Sequence, residues 1–186
     1  MTGSALQEYA SGILTHVPWE HWLVMVVVSL ALTGILLIRK KCSAYGAIAL
    51  GLTVFTGLVL VDTAVLIRHL GLLQHSTGHN LGFELDRLLH GSKDARSEVI
   101  SNLSVFVPFG FFLTEYMAAT KRFTIGRRLG LATLAAFGLS LCIEILQLVL
   151  KVGFFEVMDL VLNTLGGEFG AVIAIAGRAL LTREKR

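Results

Sequence analysis

Among the polar side chains inside otherwise apolar stretches of this chain are Asp62, Asn102, Glu144, Gln147, Asp159 and Asn163. Glu144 and Gln147 are three residues apart, Asp159 and Asn163 four, so on helices each pair shares a face. Carboxylates and amides gathered this way suit three kinds of work. They can hydrogen-bond a polar ligand. They can run acid–base chemistry, with Glu144 as a protonated general acid and Asp159 as its ionised partner. They can also tie helices together, at ~0.6–2 kcal/mol per bond. Asn102, Glu144, Gln147, Asp159 and Asn163 are the expected ligand-binding set, and Glu144 and Asp159 the catalytic pair if the protein is an enzyme. Asp62, Pro108, Glu156 and Glu168 are further candidates. Arg68 is close enough in sequence to neutralise Asp62.

Much familiar chemistry is missing from the sequence. There is no P-loop, no nucleophile elbow and no His-Glu-x-x-His helix. Gly166-Gly167-Glu168-Phe169-Gly170 follows no strand, so it is not a dinucleotide fingerprint. His75 and His79 are four apart, but Gly78 between them weakens a helical metal site. The histidines read as solvated loop residues, and no metal or cofactor is expected. Cys42 and Cys142 fall on opposite sides of the membrane by the reading below and cannot pair; both are expected to be inert packing residues.

The elements that must position these groups follow from composition. The chain has 186 residues, of which 54% are apolar and 16% charged. Soluble domains carry about 25% charge, and one domain of this size cannot hide so much apolar surface from water. A mean hydropathy of +0.73 points the same way. A water-soluble monomer, a disordered chain and a nucleic-acid-binding arm are excluded. An all-α polytopic bundle in a lipid bilayer remains. Crossing ~30 Å of hydrocarbon takes about 20 apolar residues, and five stretches qualify: Trp22–Ile38, Gly46–Ile67, Val99–Ala118, Leu129–Leu150 and Val157–Gly177. Pro108 cannot donate to the carbonyl of Ser104 and is expected to kink the third. Asn102, Phe106 and Phe109 should line one side of it, and Gly166, Gly167 and Gly170 should let a neighbour approach the fifth closely.

Basic residues orient the bundle. Arg39, Lys40 and Lys41 follow the first span, Lys121, Arg122, Arg127 and Arg128 the third, and Arg178, Arg183, Lys185 and Arg186 the fifth. The positive-inside rule makes this side cytoplasmic, with the N-terminus outside and the C-terminus inside. Residues 1–45 then form a tail, a first span and a basic loop, 46–180 the main membrane domain, and 181–186 a basic tail. The outer connection Arg68–Glu98 holds one mildly amphipathic stretch, Phe83–Leu89, that could lie on the membrane surface. At 1.5 Å per residue, Asp159 lies ~3 Å below the outer edge, Asn102 and Gln147 ~4.5 Å, Asp62 ~7.5 Å, and Glu144 and Asn163 ~9 Å. Glu168 is deeper, at ~16 Å, and Glu115 is near the cytoplasmic edge. Four helices thus bring polar groups to one layer.

Three segments in order resemble the VanZ-like family of membrane proteins. Asn102-Leu-Ser-Val-Phe-Val-Pro-Phe-Gly-Phe111 is similar to its N-x-x-x-F-x-P-x-G-F segment. Glu144-Ile-Leu-Gln147 is similar to its E-x-x-Q, and Asp159-Leu-Val-Leu-Asn163-Thr-Leu-Gly-Gly167 to its D-x-x-x-N-x-x-G-(G/A). Asn80-Leu81-Gly82-Phe83 weakly resembles an N-L-x-P-F stretch upstream. Where the family carries Arg before the Asp, in R-x-F-D-x-x-D, this chain has Gly153; Glu156 keeps an acid, and Lys151 is the nearest base. The resemblance implies a multi-pass protein of the bacterial cytoplasmic membrane and cell envelope, linked to susceptibility to the glycopeptide antibiotic teicoplanin. Its expected partners are the bilayer and an outer-leaflet lipid-linked precursor or the glycopeptide, and not nucleic acid. An intramembrane enzyme acting on a lipid-linked phosphate or sugar, a small transporter or flippase, and an interaction subunit remain alternatives. Oligomeric state is left open.

Overall fold

The computed structural model describes residues 17–39, 42–66, 93–120 and 122–183. The N-terminal tail, the connection with its His75–His79 pair, its amphipathic stretch and its Asn80–Phe83 segment, Arg68, and the last three residues lie outside the described residues. Among those described, all regular structure is helical. This suits a bilayer, where every backbone N–H and C=O needs a partner within the segment. The elements are α1 (Trp19–Ile38), α2 (Ala44–Val61) continued by a π-helical turn (Asp62–Leu66), α3 (Lys93–Val105), α4 (Val107–Ala119), α5 (Ile125–Leu150) and α6 (Val157–Arg183). Among the described residues, five stretches are long and apolar enough to cross a membrane: Trp19–Ile38, Ala44–Leu66, Val99–Ala119, Ile125–Leu150 and Val157–Leu181. They are the five expected spans, with each end within four residues of its expected place.

Local signals explain the boundaries. Ser43 caps α2 by accepting the N–H of Gly46 at 3.1 Å, and Thr124 caps α5 by accepting that of Arg127 at 3.4 Å; hydroxyl caps satisfy orphan donors of the first turn. Lys151 ends α5 in the left-handed region, at φ 57°. The N–H of Val152 then returns to the carbonyl of Gln147 at 3.0 Å, and the Val152 side chain is buried. Bonds back to the last carbonyls with a buried apolar residue just beyond are how helices with a left-handed terminator close. The chain is thereby folded back so that α6 descends beside α5.

The third span is broken where proline requires it. Phe106 stands as a turn between α3 and α4, and Pro108 lies in the first turn of α4, where its missing N–H costs least. The broken segment lies against α6. A Cβ on Gly166 would strike the carbonyl of Leu103, one on Gly170 the carbonyl of Val107, and one on Gly110 the backbone of Gly167. The glycines are therefore where the two backbones meet. α6 packs along α4, α5 and α3, while α2 packs on α4 and carries α1 on its outer side. Phe106, Leu60, Val65, Ala136 and Ile143 form the central core. Outward positions such as Leu23, Val27, Leu134, Phe169 and Leu180 are apolar and exposed, as lipid-facing residues should be.

Candidate functional site

The π turn, α3, the end of α5, the connection after it and the start of α6 all lie at the same end of the bundle, because successive spans run in opposite directions. Asn102 donates from Nδ2 to Asp159 Oδ1 at 2.6 Å, linking α3 to α6. Both residues are half-buried. Gln147 Nε2 donates to the carbonyl of Ala64 at 3.0 Å, linking α5 to the π turn. Asn163 Nδ2 donates to Ser140 Oγ at 2.9 Å, linking α6 to α5. Glu144 is buried and accepts the backbone N–H of Glu156 through Oε2 at 2.7 Å. Charge-assisted bonds of this kind are among the stronger ones, so Glu144 holds the α5–α6 connection in place from beneath.

Asp62 opens the π turn and is buried. Its Oδ1 meets Nδ1 of His21, in the first turn of α1, at 2.6 Å. The sequence offered Arg68 as its partner and read His21 as a loop residue; nothing in residue types or spacing could join positions so far apart in the chain. Pro108 bears on the site indirectly, because the break it enforces separates Asn102 from the rest of the span. Glu168 is half-buried farther along α6. Lys151 is exposed at the turn. Cys42 and Cys142 are both free thiols, but Cys142 is exposed on the bundle surface, so the packing role expected of it does not hold.

A second polar cluster forms at the opposite end. Glu115 on α4 is buried, with 4% of its surface exposed. Arg178 on α6 grips it: Nε lies 3.0 and 2.9 Å from the two carboxylate oxygens, and Nη2 lies 2.5 Å from Oε2. The hydroxyl of Tyr45, on α2, donates to the same carboxylate, and the Arg178 guanidinium sits 5.3 Å from the Tyr45 ring centroid. Sequence reasoning counted Arg178 as an orientation signal and Glu115 as an edge residue. The separation of positions 45, 115 and 178 hid the clamp.

Taken together, the helices and the two polar ends define a multi-pass α-helical membrane protein whose buried polar side chains join one helix to the next. The VanZ/LLP1 family model matches residues 49–181, most of the chain. The protein belongs to the VanZ/LLP1 family. No curated protein and no solved structure matches it significantly. The matched region holds Asn102, Glu144, Gln147, Asp159 and Asn163, and excludes all of α1 and the first residues of α2.

Proposed function

We propose that this VanZ/LLP1 membrane protein resides in the bacterial cytoplasmic membrane with its Asn102–Asp159 end at the outer leaflet, and there recognises a lipid-linked envelope precursor or a glycopeptide, altering teicoplanin susceptibility. The orientation rests on the bases that follow the first, third and fifth spans. One observation carries the site: Asn102 and Asp159, from two separate family-like segments, meet in a 2.6 Å bond while both stay half-buried. A carboxylate and an amide already aligned, with part of their surface open, are ready for a polar headgroup without reorganisation. Glu144, Gln147 and Asn163 support the site from below by bonding neighbouring elements. Glu156 joins through its backbone.

The test is Glu144→Gln and Asp159→Asn in a strain whose teicoplanin tolerance depends on this gene. The expected result is loss of tolerance at unchanged protein level. Unchanged tolerance at unchanged level overturns the site assignment. A second reading is favoured by the bonds themselves, since Asn102, Gln147 and Asn163 each reach another helix: the layer serves to hold the bundle together. In that case tolerance and protein abundance fall in step.

A further inference from the structure

Asp62 presents a deficit. Its carboxylate is buried, with 5% of the side chain exposed, and Oδ1 is occupied by His21. Oδ2 is buried and has no hydrogen-bond partner. A buried acceptor left unmade costs ~1–3 kcal/mol, more when charged. Protonation does not remove the deficit, because it turns an orphan acceptor into an orphan donor. The group that satisfies Oδ2 in either state is one that both donates and accepts, as water does and as the alcohol hydroxyl of a ligand does.

The surroundings say where that hydroxyl comes from. His21 covers Asp62 from α1, and its side chain is 28% exposed. The imidazole is thus the member of the pair that reaches the bundle surface. Trp22, the next residue, packs its ring on Phe55 with centroids 6.2 Å apart, and Trp19 is 69% exposed. Tryptophans at a helix end mark the headgroup level of a bilayer. The π turn that carries Asp62 is also held by Gln147 through Ala64, so this place adjoins the proposed site. π-helical turns recur at functional positions because they displace the helix register locally.

We infer that His21 and Asp62 form a subsite for a hydroxyl-bearing lipid headgroup, at the side of the polar layer that α1 covers. The inference rests on the reading that this end of the bundle meets headgroups, and adds the chemical class. His21 comes from outside the matched residues 49–181, so this half of the subsite is particular to the chain's own first helix. Two sources supply such hydroxyls: the glycerol of phosphatidylglycerol and the sugars of a glycolipid.

The experiment uses the full chain in phosphatidylcholine nanodiscs, titrated with phosphatidylglycerol, diglucosyl diacylglycerol or phosphatidylethanolamine, with bound lipid read by native mass spectrometry. One or both hydroxyl-bearing lipids should bind at least tenfold more tightly than phosphatidylethanolamine, and the arm that does so names the source. Asp62→Asn should erase the preference, and His21→Ala, on a helix packed mainly against α2, should weaken it severalfold. Charge alone would give the opposite sign for phosphatidylglycerol, since Asp62→Asn removes a negative charge. Equal binding of all three lipids, or a preference that survives both substitutions, overturns the subsite. A preference that survives them but is lost in Asp159→Asn overturns the subsite while leaving the wider reading of the polar end standing.

Discussion

Replacing Arg178 by leucine should cost this protein far more than replacing its partner. Glu115 is buried at 6% side-chain exposure, whereas the Arg178 side chain is 36% exposed. Removing the arginine strands a buried carboxylate with the Tyr45 hydroxyl as its remaining partner in the clamp; removing the carboxylate leaves a guanidinium that can turn to water. Breaking a fully buried pair from one side costs ~3–5 kcal/mol. The partial exposure of Arg178 screens the pair, so ~2–3 kcal/mol is expected for Arg178→Leu. Glu115→Gln keeps shape and an acceptor, and should cost ~1 kcal/mol, the net worth of an ordinary hydrogen bond. Sites that do not touch add their costs. These two share three contacts, so the double variant should be more stable than Arg178→Leu alone, because no charge is left buried. Thermal unfolding of the purified protein in detergent, followed by circular dichroism, gives the order: wild type, Glu115→Gln, the double variant, then Arg178→Leu. A double variant that carries the full sum of the two single costs would refute the clamp.

The glycine seam predicts a position-specific pattern. Gly166→Ala and Gly170→Ala push a methyl into backbone carbonyls that cannot move aside, and should abolish the folded monodisperse peak in size-exclusion chromatography. Gly130→Ala and Gly138→Ala meet nothing within 4 Å and should leave it intact, gaining up to ~1 kcal/mol from helix propensity. Orientation has a direct readout in Cys42, just ahead of α2 and half-buried. In a Cys142→Ser background, which removes the other free thiol, a membrane-impermeant maleimide should label it in opened vesicles and not in intact cells; labelling of intact cells reverses the bundle.

The spans were legible in the sequence because twenty apolar residues in a row have one physical use, and the bilayer leaves helix as their one open-ended structure. The break at Phe106 was legible because Pro108 removes a particular bond. The shared faces of Glu144 with Gln147 and Asp159 with Asn163 follow from helical spacing. Their partners do not. Nothing in the spacing of Asn163 selects Ser140, and nothing in that of Glu144 selects the backbone of Glu156, which depends on the left-handed turn at Lys151. The clamp and the His21–Asp62 pair were hidden for the same reason. Each joins helices whose relative rotation is set by side-chain packing, and a single sequence read by pattern carries no register between helices. Where charge was counted for orientation, as with Arg178, its use in an ion pair could not be seen.

The bond between Glu144 and the N–H of Glu156 has a consequence for biogenesis. The carboxylate and its partner are twelve residues apart, and the carboxylate is made first. At 5–20 residues per second of synthesis, roughly 0.6 to 2.4 seconds separate them. During that interval α5 holds an apolar segment with an uncapped acid near its trailing end, poorly suited to release into lipid. The chain therefore favours delivery of α5 and α6 as a single hairpin, retained at the insertion machinery until the reversal after Leu150 has been synthesised.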